Sequence, residues 1–593
     1  MSEVKTRFDT NKSIYQNWHG ANQLNWNVPA IEYFSNQWTF EETDQEIDRY
    51  ARSLSELRQD PESSVTFCTP TLPSTKFGFF ALNKLGIRAN FISDAVLPTD
   101  ASRYLDRTKT ETLVVFDQFY SGVAREIAKT GVKNIVVVSL SDNVGNIPSY
   151  LPDRLKYALS TSGVGEIKKQ AIPGKEYFSL DELVGIGSGK QRPVESVYKP
   201  GETSVILYTG GSTGIPKGVE KTDADIVAMG NVYADPVLGL NLQPGERNGI
   251  FIPPNHPTSL INSTISQWLF GTTNVLQPVY NKLTFPEDIY NLRLNIAVAA
   301  PSHYATFPNS GLPDGALSFF RLPMCGGEAV NEYLYYEINQ SLERLGVQNP
   351  LTVAYGMSEV GPLVIMIVGH RTGKPVLGAK ARLIGLDGKE IIGPGRGLLE
   401  VSAPETHMKG YFQESGLTRK FWTVDIPPYA RTGDFAERDE NGYYDVLGRG
   451  SDYYTGADGE IHYLFDIERF VYKNKNVLEA EAVKLVLSDC SEVPVVFLVL
   501  KGDIKESEAE VIKQVHDMCQ GELSPEERPV GYYLLHEFGT NPISTKRDYQ
   551  SLSKVREGYY NHDGYRFRKI SFPEEGDVIA IGQDINASDV KIH

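Results

Sequence analysis

Short apolar runs alternate with amphipathic stretches along the first part of the chain. Val65-Thr66-Phe67, Ala89-Asn90-Phe91-Ile92, Thr112-Leu113-Val114-Val115-Phe116 and Asn134-Ile135-Val136-Val137-Val138-Ser139 are rich in β-branched and aromatic residues and read as strands. Ile47, Tyr50, Ala51, Leu54 and Leu57 fall on one helical face of Asp44 to Leu57. Thr75 to Leu85 predicts a helix stopped by Gly86, and Ser121 to Lys129 predicts another. Strands and helices in alternation predict a parallel α/β sheet. Residues 1–37 show no clear period. Residues 140–200 read as loop-rich, with one short helix near Ser179 to Val184.

The later pattern predicts further elements. Thr203 to Leu207, Asn295 to Pro301 and Leu322 to Gly326 are short apolar strands that end in loops. Gly373 to Tyr411 reads as a small β-rich region, with Ala381 to Ile384 and Gly397 to Val401 as strands. Beyond it, Val477 to Val483 reads as a helix end and Pro494 to Leu500 as a strand. Glu508 to Met518 reads as an amphipathic helix, with Ser507 and Glu510 forming a capping box.

One stretch changes character abruptly. After the strand at Thr203 to Leu207, residues 209–218 hold four glycines, three hydroxyl residues and one lysine. Gly210, Gly211 and Gly214 let backbone close around an anion, because no Cβ blocks the approach. Thr209, Ser212 and Thr213 supply hydroxyl donors and Lys217 supplies charge. The chemistry fits a polyphosphate. A nucleoside triphosphatase loop would place a glycine before the lysine and Ser or Thr after it. Here Pro216 precedes Lys217 and Gly218 follows, so that motif fails.

Composition narrows the class. With 593 residues the chain exceeds a single core. A net charge of −17 argues against binding nucleic acid through a general electrostatic footprint. Cys68, Cys325, Cys490 and Cys519 lack CxxC spacing, so neither a disulfide framework nor a zinc site is expected. Met1 to Asp9 has no apolar core of signal-peptide length, and no 18-residue apolar run occurs. A cytoplasmic enzyme with no membrane span is expected.

The order Tyr208-Thr209-Gly210-Gly211-Ser212-Thr213-Gly214-Ile215-Pro216-Lys217-Gly218 resembles the phosphate-binding signature of the adenylate-forming (AMP-binding) superfamily. That superfamily includes acyl- and aryl-CoA ligases, stand-alone adenylation domains and luciferase-like enzymes. Further motifs follow in family order over about residues 40–555. Gly326-Gly327-Glu328 resembles the stretch beside adenine, and bare backbone there suits a flat base. Tyr355-Gly356-Met357-Ser358-Glu359 resembles the segment whose tyrosine stacks on adenine, whose hydroxyl meets phosphate and whose glutamate ligates Mg²⁺. Asp434, in Thr432-Gly433-Asp434, and Arg449 resemble the residues that hold ribose. Lys546, in Asn541-Pro542-Ile543-Ser544-Thr545-Lys546, resembles the terminal catalytic lysine, with a compressed spacing and Thr545 in place of glycine.

The resemblance implies a fold of the α/β class. It comprises a large N-terminal lobe of two α/β subdomains plus a small β-rich one, and a small mobile α+β C-terminal lobe. The lobes would span 1–449 and 450–593, with a hinge near 449–452. The family's pivot position holds Ser451. The segment Tyr453 to Glu460 departs from the family pattern, which places the second acceptor in question more than the first reaction. Residues 553–593 extend past the family's usual end.

The activity implied is ATP-dependent conversion of a carboxylic acid to an acyl-adenylate with release of pyrophosphate. Transfer to a thiol follows, either CoA or a phosphopantetheine on a carrier protein in trans. Catalysis falls to Lys546, Glu359 and Ser358, with Glu359 as the metal ligand and ATP, Mg²⁺ and CoA as cofactors or co-substrates. The resemblance assigns the acid pocket to Asn255, His256, Ala300, Pro301, Gly326 and Gly356. From Arg247 to Pro286 there is no Asp or Glu to hold a substrate ammonium, which argues against an α-amino acid and leaves an aryl or acyl acid favoured. An amine acceptor, or a member that binds nucleotide without turnover, stays open.

Overall fold

The computed structural model describes residues 6–57, 60, 62–145, 153–209, 216–279, 281–486, 490–502, 504–535, 567–568 and 591–592. The fold is α/β, and the chain divides into two compact units. The first comprises Met1–Glu328, Ile338–Arg382 and Glu400–Thr432; the second comprises Ala329–Glu337, Leu383–Leu399 and Gly433–His593.

The first unit holds two large sheets. One has eight strands in the order Gly410–Tyr411, Lys217–Thr222, Thr203–Thr209, Ala89–Phe91, Ser64–Cys68, Thr110–Phe116, Asn134–Val138 and Glu176–Ser179. From Thr203–Thr209 onward every neighbour is parallel, as the strand–helix alternation predicts. Ser64–Cys68, Thr110–Phe116 and Asn134–Val138 are buried at every position. Burial on both faces explains why these strands are continuous apolar runs rather than alternating ones.

The other sheet has nine strands: Lys374–Pro375, Gly361–Met366, Thr352–Met357, Leu322–Gly326, Ile296–Ala299, Arg247–Ile250, Thr273–Leu276, Pro29–Tyr33 and Asn36–Thr39. Thr352–Met357 through Pro29–Tyr33 run parallel. An aromatic core joins distant segments of this unit. Trp268 lies 5.2 Å from Trp18 and 4.9 Å from Phe80, ring centre to ring centre.

Two stretches hold more structure than expected, and two helices start earlier. Residues 1–37 contain a helix, Ile14–Ala21, opened by a Ser13–Gln16 capping box, and the two strands just given. Eight residues make only two turns, too few for a helical period to stand out. Within 140–200 lie the helices Asp153–Ser160 and Val164–Lys169 and the strand Glu176–Ser179, besides the expected helix, now Leu180–Ile186 with its Ser179–Glu182 box. The helices before Gly86 and Leu57 appear as Pro73–Leu85 and Phe40–Leu57, and Gly86 takes the left-handed conformation that ends the first of them.

A π-helix, Thr258–Ser266, follows the Pro253-Pro254 break. Its residues Ser259 to Ser266 are all buried, including Asn262, Ser263, Thr264 and Ser266. Lys76, from the helix Pro73–Leu85, is 2% exposed and donates to Thr264 Oγ1. Among the described residues no carboxylate pairs with it, and burial lowers its pKa to about 7. The unfolded lysine keeps its proton up to about pH 10.4. Between roughly pH 7 and 10 the unfolded chain therefore holds more protons, and stability rises with pH. Lys76→Met is expected to raise stability at pH 7 by on the order of 1–3 kcal/mol and to flatten that rise. Urea unfolding at pH 7 and 9.5 checks it; a less stable variant that keeps the wild-type pH slope contradicts it.

In the second unit a five-stranded sheet runs Phe567–Arg568, Tyr532–Leu535, Glu492–Leu500, Val477–Val486 and Lys591–Ile592. Val477–Val486 is a strand, not the expected helix end. Its Glu-Ala-Glu-Ala alternation suits a helix by composition, but antiparallel pairing with Glu492–Leu500 along its length prevails. The helix Glu508–Glu522 starts at the Ser507–Glu510 capping box and buries Val511, Ile512, Val515 and Cys519. Ile512, Val515 and Cys519 join the core of Val496, Leu498, Ala480 and Ala482. The chain passes between the units after Glu328, within the helix Glu332–Arg344, and within the strands Lys380–Ile384, Gly395–Ser402 and Ala430–Arg438. No helix among the described residues is long and apolar enough to cross a membrane.

Candidate active site

Four adjacent parallel strands of the nine-stranded sheet end at one edge: Arg247–Ile250, Ile296–Ala299, Leu322–Gly326 and Thr352–Met357. Asn255 and His256 follow the first, Ala300 and Pro301 the second, and Gly327 and Glu328 the third. Tyr355, Gly356 and Met357 close the fourth. Ligands in open α/β sheets bind beyond this carboxyl edge. The sequence-derived acid-pocket and adenine residues of this unit thus share one edge of one sheet, although they come from four separated segments.

Two of these glycines have a backbone reason of their own. A Cβ on Gly326 would lie 2.5 Å from Ala354 O, across the paired strand. A Cβ on Gly356 would lie 2.3 Å from the Pro362 carbonyl carbon. Gly327 takes φ +93°, a conformation costly for any other residue. His256 Nδ1 accepts from the Thr258 N–H at 3.2 Å, and His256 O accepts from the N–H groups of Ser259 and Leu260, so His256 shapes the entry to the π-helix.

The strands flanking the glycine-rich loop pair antiparallel, and Thr209 faces Lys217 directly. Gly210, Gly211, Ser212, Thr213 and Gly214 lie outside the described residues. Ser358 and Glu359 sit at the turn between Thr352–Met357 and Gly361–Met366, where Met357 pairs with Gly361. Glu359 is buried, and its Oε1 accepts from the Tyr411 hydroxyl at 2.7 Å. The Lys217 ammonium stands 5.3 Å from the centre of the Tyr411 ring. Behind them Lys221 is buried and donates to Thr406 O at 2.6 Å; burial lowers its pKa to about 8, against the pull of Asp225 and Glu359. Sequence reasoning left Tyr411 and Lys221 out of the site. Neither has a motif spacing relative to Glu359, and only the tertiary fold joins them.

In the second unit, Asp434 and Arg449 face each other across the hairpin Ala430–Arg438/Tyr444–Arg449 and form an ion pair at 3.0 Å. The Gly450 N–H donates to Gly433 O at 2.8 Å, and Gly433 takes φ +74°. Ser451 is exposed, and its hydroxyl donates to Asp452 Oδ1 at 3.2 Å. The departing segment after it is a small hairpin, Tyr453–Thr455/Ile461–Tyr463, in which His462 Nε2 lies 3.1 Å from Asp458. Lys546 lies outside the described residues.

The profile of AMP-binding enzymes matches residues 18–412, two thirds of the chain. The chain belongs to the AMP-binding enzyme family. It is 25% identical over 388 residues to the 2-succinylbenzoate–CoA ligase of Bacillus pumilus, covering 64% of this chain and 74% of that one. An anthranilate CoA ligase solved with anthranoyl-AMP superposes with a TM-score of 0.76 at 19% identity, over 93% of this chain and 97% of the other. An amide bond synthetase from Marinactinospora thermotolerans superposes with a TM-score of 0.70 at 16% identity, over 92% and 100%.

Glu359 is the residue the sequence motifs nominate for a divalent cation. The described residues contain no group of three His, Cys, Asp or Glu side chains placed to hold a metal. Mg²⁺ typically takes one or two carboxylates, with substrate phosphates and water completing its shell. Glu359 fits that donor set: one oxygen is held by a phenol, and no described residue forms an ion pair with either.

Proposed function

We propose that this protein activates a carboxylic acid with ATP and transfers the acyl group to a thiol. The observation that carries the reading is the meeting of Lys217 and Glu359 at Tyr411, beside the strands that bear the glycine-rich loop. That arrangement supports polyphosphate binding with a carboxylate at hand for a hard cation. Mg²⁺, when bound, supplies charge neutralisation on the phosphate oxygens.

A substrate carboxylate oxygen attacks the α-phosphorus, a C–O–P mixed anhydride forms, and the bond to the bridging oxygen of pyrophosphate breaks. Such a displacement asks for positioning and neutralisation more than covalent help. Lys217, Thr209, Ser212 and Thr213 hold the leaving phosphates. Tyr355, Gly326 and Gly327 border adenine, and Asp434 and Arg449 hold ribose. Lys546 bridges the carboxylate and α-phosphate. The acid lies among Asn255, His256, Ala300, Pro301 and Gly356. An acyl or aryl acid is favoured, since the segment from Arg247 to Pro286 offers a substrate ammonium no partner. A thiol then attacks the acyl carbon, loses its proton and expels AMP. CoA is the favoured acceptor, given the CoA ligases among the relatives.

Product analysis tests this directly. With ATP, acid and CoA the expected products are AMP, pyrophosphate and an acyl-CoA in equal amounts. ADP and phosphate contradict the reading. AMP without acyl-CoA, but with amide formed from an added amine, reassigns the acceptor.

Rotation about Ser451, between the functional lobes 1–449 and 450–593, separates the half-reactions in this account. Ser451→Pro is expected to slow transfer about tenfold while adenylation stays within about threefold, because fixing φ restricts the pivot and not the first site. Single-turnover measurements separate the two rates, and equal losses remove Ser451 as the pivot.

A further inference from the structure

The segment Thr406 to Phe412 clasps both halves of the phosphate site. On one side, Gly410 pairs with Glu220 and Tyr411 with Val219, while the Lys409 and Phe412 N–H groups donate to Glu220 O at 3.0 Å and Gly218 O at 2.7 Å. This locks the segment to the strand that carries Lys217. On the other side, the Met408 N–H donates to Glu359 O at 2.6 Å. Tyr411 stands between the two attachments and is 5% exposed, packed with Val219 and Met408.

Its side chain serves both neighbours at once. The hydroxyl donates to Glu359 Oε1 and so fixes which carboxylate oxygen faces away from the protein donor. The ring face lies toward Lys217, within cation–π range. A phenylalanine would satisfy the packing and the cation. Only tyrosine also orients the carboxylate.

We propose that Tyr411 is a positioning residue that sets Glu359 for a divalent cation and couples it to the phosphate-loop lysine. The inference rests on the adenylating reading above. Tyr411 touches neither substrate nor metal; it acts through Glu359 and Lys217.

The test is a set of variants in the full chain, read by metal dependence. Tyr411→Phe is expected to raise the Mg²⁺ concentration for half-maximal pyrophosphate exchange by about tenfold or more. The KM for ATP at saturating Mg²⁺ should stay within twofold. Direct Mn²⁺ binding in the presence of ATP, followed by electron paramagnetic resonance of the free ion, should weaken by the same factor. Tyr411→Leu should add a several-fold rise in the KM for ATP, because Lys217 loses its ring. In a Glu359→Gln background, Tyr411→Phe should change Mn²⁺ binding by less than 1.5-fold.

A metal midpoint and Mn²⁺ affinity unchanged by Tyr411→Phe, in an enzyme whose wild type needs the metal, overturn the positioning role alone. Equal effects of Tyr411→Phe with and without the Glu359 carboxylate show packing only and also overturn it. A wild type with neither acid-dependent exchange nor Mn²⁺ binding overturns the adenylating reading and this role together. Should Tyr411→Phe fail to fold, Tyr411→Leu removes the same hydrogen bond and leaves the Glu359 carboxylate in place. An unshifted Mn²⁺ affinity there counts against the role.

Discussion

Lys546→Ala is expected to lower acid-dependent pyrophosphate exchange by about 10³-fold while ATP binding stays within a few-fold. The carboxylate and the α-phosphate are both negative, and their approach in the transition state is opposed by Coulomb repulsion. A preorganised cation between them acts where charge develops and is worth about 10²–10³ in rate in comparable sites. In the proposed site the nucleotide is held by the glycine-rich loop and the Asp434–Arg449 pair, which the substitution leaves intact. Lys546→Arg should recover little, because a planar fork does not take the place of a compact ammonium. Exchange assays with equilibrium ATP binding decide it. Exchange near the wild-type rate in Lys546→Ala would mean that the lysine is misassigned.

Gly356→Val is expected to cost about 3 kcal/mol or more and to abolish exchange. The added Cβ meets Pro362 C at 2.3 Å, Pro362 O at 2.5 Å and Gly361 O at 2.6 Å. All three are backbone atoms of the partner strand, so no side chain can swing aside. Relief requires opening the hairpin Thr352–Met357/Gly361–Met366, whose turn carries Ser358 and Glu359. Gly122 is the control: it lies in the helix Asp117–Ile127 with nothing within 4 Å of an added Cβ, and Gly122→Ala should be neutral or stabilise by about 0.5–1 kcal/mol. Urea unfolding of both variants checks the contrast, and wild-type stability in Gly356→Val contradicts it.

The sequence showed the parallel sheets because their strands are buried on both faces, leaving continuous apolar runs such as Asn134–Val138. Capping chemistry was equally visible: Ser507 with Glu510 opens the helix at the position expected. Two other elements were not. The helix Ile14–Ala21 makes only two turns, too few for a period to show, and the ten-residue strand Val477–Val486 has a helix-like composition that its pairing with the next strand, Glu492–Leu500, overrides.

The site followed the same division. The strand-to-loop breaks at Asn255, Ala300, Gly326 and Gly356 were legible in the local pattern, and the parallel register of their strands puts these ends at one edge. Tyr411 and Lys221 were not legible as site residues, since their relation to Glu359 exists only in three dimensions. The glycines carried two signals that sequence merges. Gly326 and Gly356 are required by neighbouring backbone, whatever they also border.

The central claim is that this AMP-binding enzyme forms an acyl-adenylate, and carboxylate-dependent exchange of labelled pyrophosphate into ATP tests it most directly. Aryl, short-chain, long-chain and amino acids form the panel. Exchange with an aryl or acyl acid, and none with α-amino acids, is the expected result. Measurable ATP binding without exchange for any acid in the panel would contradict the account.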